Sequence, residues 1–290
     1  MSQTGRNAQR AKSHAPQAEP PEPGRPYALR LADQRSVAEL PADAPDRSDA
    51  AKERARAESD ALRGRLADWQ ERLYAEHRRR LLVVLQAMDT GGKDGTIRNV
   101  FRSVNAMGVK AARFEAPTRD DLARDYLWRV HAQVPATGQI GIFNRSHYED
   151  VLTVRVNGLV PEHVWRRRYE HIRGFERLLA DEGTRIVKLF LHIDRDEQRE
   201  RLQARVDDPC KRWKFDDNDV NQRKRWDDYM AAYTDAIRET DAPHAPWYVI
   251  PANQKWHRDR TVLELLVRTL EDMGPQYPKT DVDPSRVVID

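Results

Sequence analysis

Asp89, Gly91, Gly92, Lys93, Asp94, Gly95 and Thr96 fall within eight consecutive residues. That mixture suits the holding of a phosphate. Glycines let backbone N–H groups approach an anion, a lysine adds a point charge, and a threonine hydroxyl can reach Mg2+. The apolar run Leu81-Leu82-Val83-Val84-Leu85 precedes the glycines, and a helical pattern follows from Ile97. Strand, turn and helix in that order aim a helix N-terminus, with its positive dipole end, at the anion. Against the pattern G-x-x-x-x-G-K-[ST], Gly92-Lys93 fits, Ala87 stands at the first glycine and Asp94 at the Ser or Thr. The competing reading is a plain strand–turn–helix connection whose glycines serve turn geometry alone.

A second polar cluster follows the short apolar strand Gln139–Phe143: Asn144-Arg145-Ser146-His147-Tyr148-Glu149-Asp150. Phosphate-loop enzymes use an acid at this strand end to help hold Mg2+. Here the position is Asn144, a weaker metal partner, which leaves Asp89 and Glu149 to compensate. Asn144 can equally serve as a helix N-cap. Arg145 can bridge donor and acceptor phosphates in fork geometry, or form a surface ion pair. Glu149 can recruit a second metal, fix Arg145, or sit in a first helical turn favoured by the dipole.

Arg201 and Arg205 lie four apart and share a helix face. Pro209 ends that helix, and Lys211, Arg212 and Lys214 then alternate with Trp213 and Phe215. Ten basic and eight acidic residues lie between Arg195 and Arg225, so the segment is no plain polycation. It reads as an inserted lid whose selected cations close over phosphate. Trp226, Tyr229, Met230 and Tyr233 form a stripe that suits packing better than a nucleobase platform. The charged run Trp165–Tyr169, with Arg173 and Arg177, reads as a solvated helix face.

Composition narrows the class. The 290 residues carry 50 basic and 47 acidic side chains, a net charge of +3. Bulk attraction to nucleic acid is therefore not implied. Cys210 is the only cysteine, which excludes an intrachain disulfide or a cysteine metal cluster, and His147, His171, His192 and His244 lack zinc spacing. Mean hydropathy is -0.86. No apolar run reaches transmembrane length, and the N-terminus lacks an apolar signal core. A cytoplasmic enzyme without membrane or specific nucleic-acid partners is the expectation.

These residues need a scaffold. Residues 1–50 hold seven of the 17 prolines and read as a disordered or loosely attached arm. Residues 51–273 read as one domain, with a lid over about 206–240, and 274–290 as an irregular tail. Helix is expected over Asp49–Arg80, Ile97–Met107, Arg119–Gln133, Pro161–Asp181, Asp196–Val206 and Arg258–Met273. Strands are expected at Leu81, Val109–Glu115, Gln139–Phe143, Arg185–Ile193 and Trp247–Pro251. Alternating strands and helices predict an α/β fold with a parallel sheet flanked by helices in three layers. Ligands in such sheets bind at the carboxyl ends of the strands.

In order, the segments Met88–Thr96, Phe143–Val151, Asp208–Phe215, Trp226–Tyr229 and Ala242–Tyr248 resemble polyphosphate kinase family 2. The resemblance runs from about Ala57 to Met273. It implies a P-loop kinase fold with a helical lid, passing phosphoryl groups between inorganic polyphosphate and AMP, ADP, ATP or guanine nucleotides. It also implies Mg2+ or Mn2+ and a homo-oligomer, dimer or tetramer. By this analogy Asp89 and Lys93 are catalytic in the Walker A loop, with Arg145 and Arg205, and Asp89 is the metal carboxylate. Gly91, Gly92, Asp94, Gly95, Thr96, Asn144, Glu149, Arg201 and Lys211 would bind phosphate or nucleotide. Arg201, Arg205 and Lys211 would move with the lid. Many members carry Asp-Arg-Ser-Trp-Tyr-Asn where this chain has Asn144–Glu149, and the chain resembles the subgroup that accepts both AMP and ADP. An ATP-dependent nucleotide kinase of similar fold, or a non-catalytic binder of polyphosphate or RNA, are the alternatives.

Overall fold

The computed structural model describes residues 35–282, 286–287 and 289. Strands β1 (Arg80–Gln86), β2 (Val109–Arg113), β3 (Ile140–Asn144), β4 (Thr184–His192) and β5 (Trp247–Pro251) form one sheet, ordered β2-β3-β1-β4-β5. Every pairing is parallel, and β1 lies between β3 and β4, with Leu81 opposite Ile140 and Arg185. The composition of β1 explains its place. All of its residues but the first are buried, as a strand covered on both faces requires.

Helix α1 (Asp49–Glu76) starts where the Ser48 hydroxyl accepts from Ala51 N–H, at 3.1 Å. It ends at His77, whose φ is +51°. Helix α2 (Lys93–Val100) leaves the glycine loop. Three single turns follow along the chain: α3 (Arg119–Leu122), α4 (Trp128–His131) and α5 (Thr153–Val156). The longer helices are α6 (Glu162–Asp181), α7 (Arg195–Asp207), α8 (Asp217–Lys224), α9 (Trp226–Thr240) and α10 (Lys255–Met273). Helices α1, α2 and α10 pack together, as do α5, α6 and α9, and the two groups flank the sheet. The apolar stripe of α10, with Val262, Leu263, Leu266, Val267 and Leu270, is fully buried.

Several expectations change. The helix expected over 97–107 begins at Lys93 and stops at Val100, and Asn105 caps a separate short turn, Ala106–Gly108. The helix expected over 119–133 is two single turns, because the Asp125 carboxylate accepts from Leu127 and Trp128 N–H and starts a new turn. The arm expected to be loose through residue 50 is docked over 36–44. Val37, Leu40, Ala42 and Ala44 are buried there, since alternating apolar side chains find a groove on the domain. Residues 1–34 lie outside the described residues. The expected lid is also shorter: α9 belongs to the core, with Trp226, Tyr229, Met230 and Tyr233 buried, so only 208–224 stands over the strand ends. Among 275–282 no helix or strand forms.

Candidate active site

The glycine loop follows β1 at the carboxyl edge of the sheet. Two of its backbone features depend on glycine or on strain. Gly92 has φ +101°, and a Cβ there would collide with the Arg258 guanidinium. Thr90 has φ +63°, unusual for a β-branched residue. Neighbours hold that strained turn. From α7, Gln198 Nε2 donates to Asp89 O at 3.1 Å, and Arg201 Nη1 donates to Thr90 O at 3.0 Å.

Lys93 opens α2 and folds back over the loop. Its Nζ donates to Ala87 O at 2.8 Å and more weakly to Met88 O at 3.5 Å. No carboxylate of a described residue lies within ion-pair distance of it. Burial and the nearby Arg145 charge push the ammonium down to about 8, although Asp89, Glu149 and Asp94 pull the other way. Lys93 is thus a cation with carbonyl contacts and no bonded anion.

Arg145 stands at the end of β3 with φ +62°. Its N–H donates to Leu85 O at 3.0 Å, and Nη2 donates to Asp89 Oδ1 at 2.9 Å. Burial alone would weaken its charge, but Glu149 and Asp89 outweigh burial and hold it charged. Glu149 lies in a short turn capped by Ser146, accepts from Thr153 Oγ1 at 2.7 Å, and is the strongest negative neighbour of Arg145. Of the readings open for Glu149, the first-turn position is the one the geometry shows, and its charge also acts on Arg145 without a direct bond. Asn144 is not an N-cap. Its Nδ2 donates to Asp94 Oδ1 at 2.7 Å, and that bond, with Arg113, Lys214 and Lys93, outweighs burial and keeps Asp94 below the usual carboxylate range.

A cavity of about 160 Å3 opens beside the loop. Asp89, Arg145, Glu149 and Tyr233 line it from the domain, and Asp216 and Asp219 from the segment above. Burial and the Asp89 charge push the Asp219 carboxyl up to about 6. Four carboxylates thus face one arginine. The opposite side of the loop is basic: Arg201, Arg258 and Lys255 cluster there, and partial burial with the two arginine charges holds the Lys255 ammonium below its ordinary value. Arg258 is 1% exposed, and its Nε and Nη2 are bonded to Asp259 Oδ1 at 2.8 and 2.6 Å.

Two site expectations are corrected. Thr96 is buried and donates its hydroxyl to Gly92 O at 3.1 Å, so it serves the helix backbone and not a metal. Arg201 does not travel with a lid, because its Nη2 also donates to Ala252 O and Asn253 O at 2.7 and 2.9 Å, which fastens it to the sheet edge. Lys211 lies in the segment above the cavity as expected, exposed and paired with Asp208 2.5 Å away. Arg205 bonds Asp219 at 3.1 Å and so holds α8 over the cavity. Gly91 and Gly95 lie in the loop and the first turn of α2 as expected. Sequence reasoning missed Gln198, Asp219 and Arg258. Only tertiary structure brings them to the loop, and in the chain they are ordinary polar residues of helices.

Among the described residues, no three His, Cys, Asp or Glu side chains converge as a ready-made metal cage. The acidic cavity fits a divalent cation in another way, through one or two carboxylates completed by ligand oxygens and water.

A family model described as polyphosphate kinase 2 matches residues 49–278. The chain is 60% identical over 229 residues to a protein of Meiothermus ruber named AMP/ADP-polyphosphate phosphotransferase, covering 79% of this chain and 86% of that one. It is 43% identical over 228 residues to the ADP-polyphosphate phosphotransferase of Rhodopseudomonas palustris, covering 74% and 79%. The crystal structure of polyphosphate kinase 2 from Arthrobacter aurescens superimposes with a TM-score of 0.85 at 42% identity, covering 89% of this chain and 92% of that one. The loop, the strand-end arginine and the parallel sheet therefore belong to a phosphotransferase, and the chain is a member of the polyphosphate kinase 2 family.

Proposed function

We infer that this chain is a polyphosphate-dependent nucleotide kinase, and we propose that it phosphorylates both AMP and ADP. The observation that carries the reading is Lys93, a cation without a bonded anion, set between a basic cluster and an acidic cavity. In this reading the polyanionic donor lies on the side of Arg201, Lys255 and Arg258. The acceptor phosphate enters the cavity and meets Arg145, which Asp89 already orients and Glu149 helps keep charged. Phosphoryl transfer demands alignment and charge neutralisation more than covalent chemistry. The loop N–H groups, Lys93 and Arg145 supply both to the equatorial oxygens of the group in flight.

Mg2+ or Mn2+ completes the proposal. Asp89 would hold it, with Glu149 and Asp219 lining the same cavity. When bound, the cation would neutralise phosphate oxygens beside these carboxylates. The protein is proposed to act in the cytoplasm as a homo-oligomer. Among the described residues no helix is long and apolar enough to cross a membrane.

The test supplies long-chain polyphosphate as sole donor, with Mg2+ and AMP, ADP, GMP or GDP in separate reactions, and separates the products by ion exchange. Formation of ADP and then ATP from AMP is expected. Turnover with ATP as donor but none with polyphosphate would overturn the reading.

A further inference from the structure

We propose that Asp43 is a positioning residue for the donor side of the site, acting through a strap formed by residues 36–44. The strap is fixed along its length. Val37 N–H donates to Thr234 Oγ1 at 3.0 Å, and His192 Nε2 lies 3.1 Å from Leu40 O. Ala42 O accepts from Asn253 N–H at 3.0 Å, and Ala44 N–H donates to Gln254 Oε1 at 2.6 Å. Asp43 closes the attachment: its Oδ1 accepts from Asn253 Nδ2 at 3.0 Å and from Gln254 Nε2 at 2.8 Å.

Asn253 and Gln254 connect the strap to the loop. They follow β5, and the carbonyls of Ala252 and Asn253 receive Arg201 Nη2. Arg201 Nη1 then donates to Thr90 O, whose residue holds a positive φ. A continuous series of bonds thus runs from Asp43 through Asn253 and Arg201 to the strained turn of the phosphate loop. Asn253 is also held by α7, since its Nδ2 donates to Asp194 Oδ2 at 2.7 Å and its Oδ1 accepts from Asp194 N–H at 3.1 Å. The strap and α7 therefore grip one asparagine from two sides.

The consequence for function follows from what Arg201 does when held. A guanidinium whose donors are already bound to carbonyls stays in one pose, and its charge is presented to an incoming anion without a further loss of freedom. Asp43→Ala removes both side-chain bonds that the strap makes to Asn253 and Gln254. The carbonyls that receive Arg201 then gain freedom, and so does the turn at Thr90. Arg201 keeps Glu197, 2.7 Å away, so the charge remains but its direction is lost. The inference rests on the donor-side assignment made above.

The test compares wild type, Asp43→Ala and Asp43→Asn in the full-length protein. An asparagine Oδ1 still accepts both bonds, so Asp43→Asn should match wild type. Asp43→Ala should raise KM for polyphosphate roughly three- to tenfold, the loss of one or two hydrogen bonds. KM for AMP and kcat should change less than KM for polyphosphate, because Asp43 reaches the loop from the donor side through Arg201. Amide hydrogen exchange is read on the same proteins: exchange over 88–92 should quicken in Asp43→Ala, and exchange over β1 should not. Equal KM values in all three proteins would overturn the proposal. So would a parallel fall in every kinetic constant, or failure of the asparagine to restore function. A wild type inactive with polyphosphate would sink the functional reading alone. The exchange comparison would then still decide whether the strap steadies the loop, and unchanged exchange over 88–92 would refute it.

Discussion

Lys188 and Lys93 are treated in opposite ways by the protein around them. Lys188, on β4, is 0% exposed and fully satisfied. Its Nζ donates to Glu176 Oε2 at 2.6 Å, to Tyr148 Oη at 2.9 Å and to Thr240 O at 2.8 Å. Burial depresses its ammonium and would raise Glu176, but Lys188 and His147 hold that carboxyl below its usual range. Both members are fully bonded. Lys93 has two carbonyl contacts and no bonded carboxylate. The core spends its charges on each other, whereas the loop leaves a charge for a ligand. Buried polar networks that are complete specify a structure, and incomplete ones mark function.

The largest expected effect separates the two lysines on stability. Lys188→Met strands the Glu176 carboxylate in the core and should cost about 3–5 kcal/mol, read as a fall in the denaturant midpoint. Lys93→Met should leave Tm at or above wild type. The sign follows from its lowered value. Between about 8 and its ordinary 10.5 the unfolded chain binds the proton that the folded chain gives up, so a protonated Lys93 costs stability at pH 7.5. If both substitutions destabilise equally, the contrast fails.

On activity the order reverses. Lys93→Met should lower turnover by about 10²–10³, the usual loss when one preorganised donor to a transferring group is removed. The free enzyme should also lose kcat/KM as pH rises through about 8, where Lys93 gives up its proton. A profile that stays flat to pH 9.5 would remove Lys93 from the chemistry.

A smaller effect sharpens the same contrast in the acidic cavity. The Asp219 carboxyl is pushed up to about 6, so the folded chain holds its proton more tightly than the unfolded one. Stability from this group is present at low pH and lost as pH rises through 6. Asp219→Asn should therefore raise stability at pH 7.5, by about 1 kcal/mol or less once solvent screening and the lost Arg205 bond are counted. The gain should vanish near pH 4. A loss of stability at pH 7.5 would mean that the Arg205 pair outweighs repulsion from Asp89.

How much of this was legible in the chain depends on whether local sequence or tertiary approach decides. The strand, turn and helix around the glycines were readable, because an apolar run, a glycine cluster and a helical pattern follow one another directly in the chain. The parallel sheet was readable because β1 and β4 are apolar on both faces. The strap was not: residues 36–44 share the proline-rich composition of the arm, and only the groove above β4 and β5 shows that Val37 and Leu40 are core. The partner of Asn144 could not be read either, since Asp94 lies 50 positions away. Thr96 misled because a threonine in the first helical turn can serve a metal or its own backbone, and local sequence does not choose between them.

The central claim is that Lys93 carries an unspent charge for a phosphate, and the titration of its own ammonium tests it most directly. Lysine labelled with 13C and 15N allows the Lys93 resonance to be followed by NMR against pH, with Lys93→Met to assign it. The account predicts a midpoint of about 8 in the free protein and a clear upward shift when polyphosphate is added, because an anion favours the charged form. A free-protein midpoint near the ordinary lysine value, unmoved by polyphosphate, would contradict it.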